Sequence, residues 1–133
     1  MKNLLALSFS ALFSFSAFSM PCDTGYSCKS ESGKYQIELQ RCRYINSLNL
    51  NSITIDGNEV AYAELNAGWD GDSVLAFEIS LPSVNQEDLR VLSVETNKTE
   101  LGTRGVAIEK VTFYNPGPST VVNYEAMTCV VTE

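Results

Sequence analysis

From Cys22 onward, apolar and polar residues alternate at a period of two in short blocks, each bounded by turn-forming residues. Only a strand places successive side chains on opposite faces, so this pattern predicts a half-buried sheet. The blocks are Thr24 to Lys29, Tyr35 to about Tyr44, Ser52 to Asp56, Val60 to Leu65, Val74 to Leu81, Arg90 to Thr96, Val106 to Tyr114 and Thr120 to Thr132. In the second, Tyr35, Ile37 and Leu39 make the apolar row against Gln36, Glu38 and Gln40. In the fifth, Leu75, Phe77, Ile79 and Leu81 form the buried row, and Pro82 ends the strand. Ala107, Glu109, Val111 and Phe113 share one face of the Val106 to Tyr114 block.

The connections carry turn chemistry. Ser30-Glu31-Ser32-Gly33 joins the first two strands, and Asp56-Gly57-Asn58-Glu59 is a strong hairpin signal. Asn46 to Asn51, Asn66 to Asp72 and Asn97 to Gly105 read as polar loops, and Asn115-Pro116-Gly117-Pro118-Ser119 as a rigid turn. Ser83 to Asp88 fits one helical turn, with Ser83 as N-cap and Gln86 completing a capping box. About eight short strands with turns at regular spacing predict an all-β fold, a small antiparallel barrel or sandwich. No repeat or linker divides it.

The N-terminus changes the picture. Lys2 precedes an uncharged apolar and serine-rich run from Leu4 to Phe18, and Ala17-Phe18-Ser19 puts small residues at −3 and −1 of a cleavage site. Cleavage after Ser19 is preferred because a cut one residue later would leave Pro21 at +1, where proline hinders signal peptidase. The expectation is a signal peptide over 1–19 and a single all-β domain over 20–133, secreted or periplasmic. Phe18-Ser19-Met20-Pro21 lacks the small residues that a lipobox needs before Cys22, and no later apolar run is long enough to span a bilayer. No membrane anchor is expected.

Removing 19 of the 133 residues leaves 114, one ordinary domain, and the loss of Lys2 takes the formal charge from −7 to −8. That acidity excludes nucleic acid as a natural partner, because phosphate binding needs clustered Lys and Arg. The chain contains no His. Ser-His-Asp and Cys-His catalysis and His-ligated metals are therefore ruled out, and the expectation is a non-enzyme without cofactor.

Export makes disulfides the default reading of Cys22, Cys28, Cys42 and Cys129. A turn centred near Ser32 pairs residues whose numbers sum to about 64, which sets Cys22 opposite Cys42 and Cys28 opposite Gln36. Cys28 is then left for Cys129 on the last strand. Zinc ligation and thiol redox chemistry both fail for want of a Cys-x-x-Cys pair.

Trp69 is the residue to watch, a large aromatic between Gly68 and Asp70 in a segment that reads as an exposed connection. Such a ring is either a binding hot spot or a lid folded over one end of the barrel. Asp70 and Asp72 flank Gly71 beside it, and Trp69, Asp70 and Asp72 form the candidate binding set for a protein or glycan partner. The two acids, with Glu64 and Glu78 on adjoining strands, also suggest the carboxylate pair of a small glycoside hydrolase. Alternate carboxylates also suit calcium, but Ser73-Val74-Leu75 does not supply the further acids of an EF-hand loop, so no metal is expected. Tyr44, Tyr62, Tyr114 and Tyr124 are either a binding face or half-buried strand tyrosines. Asn97-Lys98-Thr99 matches the glycosylation acceptor pattern.

Tyr26-Ser27-Cys28 near the mature start, together with Cys129 near the end, resembles the layout of periplasmic inhibitors of C-type lysozyme. The resemblance implies a small β-barrel with an end-to-end disulfide. Those proteins carry Ser-Gly-x-x-Tyr in a mid-chain inhibitory loop. Here Ser32-Gly33-Lys34-Tyr35 is one residue short and lies in the first hairpin, so the inhibitory residues do not carry over. The sequence supports an exported non-catalytic domain that binds a protein or envelope component, inhibition included. A small hydrolase and a structural envelope subunit are the alternatives.

Overall fold

The computed structural model describes residues 22–42, 47–83, 88–113 and 117–132. Among the described residues there are nine strands and no helix: β1 Cys22–Ser30, β2 Tyr35–Cys42, β3 Ser47–Ile55, β4 Asn58–Glu59, β5 Glu64–Asp70, β6 Val74–Leu81, β7 Asp88–Thr99, β8 Gly102–Phe113 and β9 Ser119–Thr132. They form one antiparallel sheet in the order β4-β3-β2-β1-β9-β8-β7-β6-β5, curled into a half-barrel. The sandwich alternative is thereby set aside. The expected eight strands become nine because Asn58 and Glu59, read as part of the hairpin turn, pair with β3 as the short β4, and the Val60 to Leu65 block is not itself a strand. Residues 60–63 connect β4 to β5, and the strand begins at Glu64.

The rows read from the alternation point into the concave side. Leu75, Phe77, Ile79 and Leu81 are buried on β6 beside their ladder neighbours Leu92 and Val94 of β7, and share one core with Ile37 and Leu39 of β2 and Met127 of β9. Each fully buried aliphatic side chain of this kind contributes roughly 1.5 to 3 kcal/mol. The long edge strands, β3 and β5, meet side chain to side chain. A Cβ built on Gly68 would lie 3.1 Å from Leu48 Cδ1. Leu50 and Leu65 pack against the core near this seam.

Three segments expected to be loops are strands. Asn46 to Asn51 falls partly outside the described residues, but 47–51 belongs to β3. Leu48 and Leu50 keep one parity, Ile53 and Ile55 the other, and a bulge at Asn51 absorbs the shift. Asn66 to Asp70 lies in β5, with a second bulge at Asn66. In the expected loop Asn97 to Gly105, β7 continues to Thr99 and β8 resumes at Gly102, so the turn is only Glu100-Leu101. Polar composition misleads here because Lys98 is a strand residue that ion-pairs across the sheet. The helical turn expected at 83–88 lies largely outside the described residues, as do Tyr44, Tyr114 and the proposed cleavage site.

Both disulfides join neighbouring strands, Cys22 to Cys42 and Cys28 to Cys129. The hairpin register is one residue off the expected one. Cys28 faces Ile37, not Gln36, and an irregularity between Cys22 and Thr24 brings Cys22 opposite Cys42. The Asp56-Gly57 turn has both residues at positive φ, 54° and 81°, the geometry that suits strand twist in a two-residue hairpin.

Candidate binding site around Trp69

The interior is occupied. At the end carrying the β5–β6 turn, the side chain of Asp70 is 4 % exposed and pairs with Lys98, while Tyr26 donates its hydroxyl to the same carboxylate at 2.9 Å. Arg41 approaches at 3.5 Å, and Lys98 also donates to the Gly71 carbonyl at 2.7 Å. Burial lowers the Lys98 ammonium, but hydrogen bonds to Asp70 and Tyr26 outweigh it and hold the group above its ordinary value. At the other end, Glu109 accepts from Arg90 at 2.7 Å and from the Tyr35 hydroxyl. Burial and the Glu109 bond push the Tyr35 phenol well above its ordinary value. Asn123 links Tyr35 to Glu125, which also accepts from the Ser32 N–H and hydroxyl.

Two of these carboxylates carry a pH dependence. Burial pushes Glu109 up, yet Arg90 and Tyr35 outweigh it and hold the carboxyl below its ordinary value. The slight burial of Glu125 is outweighed by Ser32 and Asn123, which bring it down to about 2. Both groups bind protons more tightly unfolded than folded, so their stabilisation is present above the unfolded value and lost as pH falls through the folded one. Thermal melts should show Tm falling as pH drops from about 4.5 toward about 2. Glu125→Gln should flatten part of that fall; an identical slope in the variant would contradict the assignment.

These clusters hold the two ends together and leave the convex face for a ligand. Along β5 parity separates the expected set. Asp70 turns inward to Lys98, Trp69 turns outward with 66 % of its surface exposed, and Asp72 is exposed in the turn. Trp69 therefore forms no lid over the barrel end. Its ring leans on Gly71, where an added Cβ would come within 2.6 Å of Trp69 Nε1. The absence of a side chain at 71 is what lets the indole lie there.

The residues beside Trp69 come from the ladder. Trp69 faces Ala76, which faces Glu95 on β7; two pairs along, on the same face, Ala67 faces Glu78, which faces Ser93. Neighbouring strands lie about 4.8 Å apart, so Trp69 and Glu95 stand about 10 Å apart across the single methyl of Ala76. Long side chains thus ring a floor of Ala67, Ala76 and Ser93, leaving a shallow depression of ≈ 330 Å³. Glu95 and Ser93 were missed in the sequence because the Asn66 to Asp72 segment read as loop. With 66–70 taken as a strand, the two-residue turn Asp72-Ser73, closed by the Gly71 N–H donating to the Val74 carbonyl at 2.8 Å, sets Trp69 opposite Ala76.

The Ser32-Gly33-Lys34-Tyr35 segment serves the fold. Ser32 is tied to Glu125 and Tyr35 is fully buried. Comparison with family models, with curated proteins and with solved structures finds no match for this chain.

Proposed function

We propose that this chain is an exported, non-catalytic β-domain that binds a protein or cell-envelope component through the face around Trp69. The observation that carries the reading is a tryptophan two-thirds exposed on a strand and seated beside a depression. A large apolar ring so placed loses little conformational entropy on binding and buries much area. The apolar run before Ser19 and the two disulfides support export, since such bonds are compatible with an oxidising compartment. Inhibition of an enzyme is one form that such binding takes.

Glycoside hydrolysis is the second reading, because Glu78 and Glu95 are diagonal neighbours on adjacent strands beside an aromatic ring. A hydrolytic acid needs apolar enclosure to stay protonated, whereas Glu95 is exposed on an open face. Binding is the better fit. Affinity capture from the exported fraction, with wild type and Trp69→Ala as parallel baits, tests it. Trp69→Ala should leave Tm nearly unchanged and weaken partner binding by about 2 kcal/mol or more. Equal capture by both baits would sink the proposal.

A further inference from the structure

We infer that the group received at Trp69 is a cationic side chain, lysine or arginine, presented by a basic protein partner. The inference rests on the Trp69 reading above and names its ligand class. Three features of the site converge on it. First, the lining contains two carboxylates, Glu78 and Glu95, and no Lys or Arg. Among the described residues neither carboxylate forms an ion pair, whereas Asp70 and Glu109 on the concave side both do. Second, a carboxylate only accepts hydrogen bonds, and the lining sets two of them against one serine hydroxyl and the indole N–H. A sugar brings acceptors as well as donors and would leave its own acceptors short of partners here. An ammonium or guanidinium brings donors only, which is the complement this lining lacks.

Third, the dimensions suit an alkyl stem with a charged tip. The methyls of Ala67 and Ala76 give an apolar floor between the indole and Glu95, along which a lysine or arginine stem can lie. Its cation then sits within reach of the exposed indole and of both acids, and aromatic face and carboxylate attract it together. The depression, ≈ 330 Å³, is at the small end of ligand sites and takes one side chain more readily than an oligosaccharide. The net charge of −7 extends the same preference, favouring approach by a basic surface.

Trp69 is the sole tryptophan, so its emission reports the site directly. The experiment titrates the protein, purified after expression of the full chain, with a lysine pentapeptide and separately with chitotetraose. The expected result is a saturable change in emission with the peptide, weakened roughly tenfold in Glu78→Gln/Glu95→Gln and reduced by added salt. The double variant should melt at the wild-type temperature; if it does not fold, Glu95→Lys alone must weaken peptide binding. A response to chitotetraose that survives the double substitution, with none to the peptide, would overturn the cationic assignment and leave a Trp69 binding face standing. Silence toward both probes, with equal partner capture by wild type and Trp69→Ala, would remove both readings.

Discussion

Replacing Cys28 and Cys129 together by alanine is expected to lower the free energy of unfolding by roughly 4 to 5 kcal/mol, against about 3 kcal/mol for Cys22 and Cys42. The two bonds are alike in joining adjacent strands; they differ in the chain they enclose. Cys28 and Cys129 are 101 residues apart, Cys22 and Cys42 only 20. Loop-closure entropy grows with the logarithm of that separation, so the long bond restricts the unfolded chain more. Cys28 and Cys129 also lie in the core, so their removal leaves unfilled volume that acts in the same direction. Guanidinium denaturation followed by far-ultraviolet circular dichroism measures both variants. Equal losses would show that closure of the β1–β9 pairing does not dominate.

The second large effect lies at Asp70. Asp70→Ala should cost about 3 kcal/mol, because it strands Lys98 without its carboxylate and leaves the Tyr26 hydroxyl without its acceptor. The figure sits at the low end for a broken buried pair because the Lys98 side chain keeps 23 % exposure. Asp70→Leu/Lys98→Met removes both charges at similar volume, and should recover most of the loss. Urea denaturation of Asp70→Leu, Lys98→Met and the double closes the cycle. A double variant as unstable as the sum of its singles would mean that the pair does not act as a unit.

The readable and unreadable parts of this fold follow from parity. Leu75 to Leu81 hold a strict period of two with apolar residues on one side only, and such a row has one way to face a core. The cysteine pairs were legible for a related reason, since hairpin arithmetic fixes which residues oppose one another. It was off by one along β1, and the irregularity beyond Cys22 restored the outcome. Bulges are where the reading fails. Asn51 and Asn66 each shift the alternation by one residue, and a broken alternation rich in Asn looks like a loop. Lys98 fails differently. A charged residue on the concave face breaks the polar-out rule, and nothing local announces that Asp70, two strands over in the sheet and 28 positions away in sequence, is waiting for it. Trp69 was legible as a residue but not as a site, because Glu95 becomes its neighbour only through two ladder registers.

Read from edge to edge, the described sheet runs β5 to β9 and then β1 to β4. That is the order of a simple meander whose chain has been sealed between β9 and β1 and cut between β4 and β5. A circular permutant opened at Tyr62 and joined from Thr132 to Cys22 would keep every pairing while making each one a link between consecutive strands. Tyr62 suits the opening, being 92 % exposed and held at a φ of 63° that a free end would release. In the natural order β1 must find β9 across nearly the whole domain. Shifting that search into a local hairpin lowers contact order, so the permuted chain should fold faster without a change of architecture.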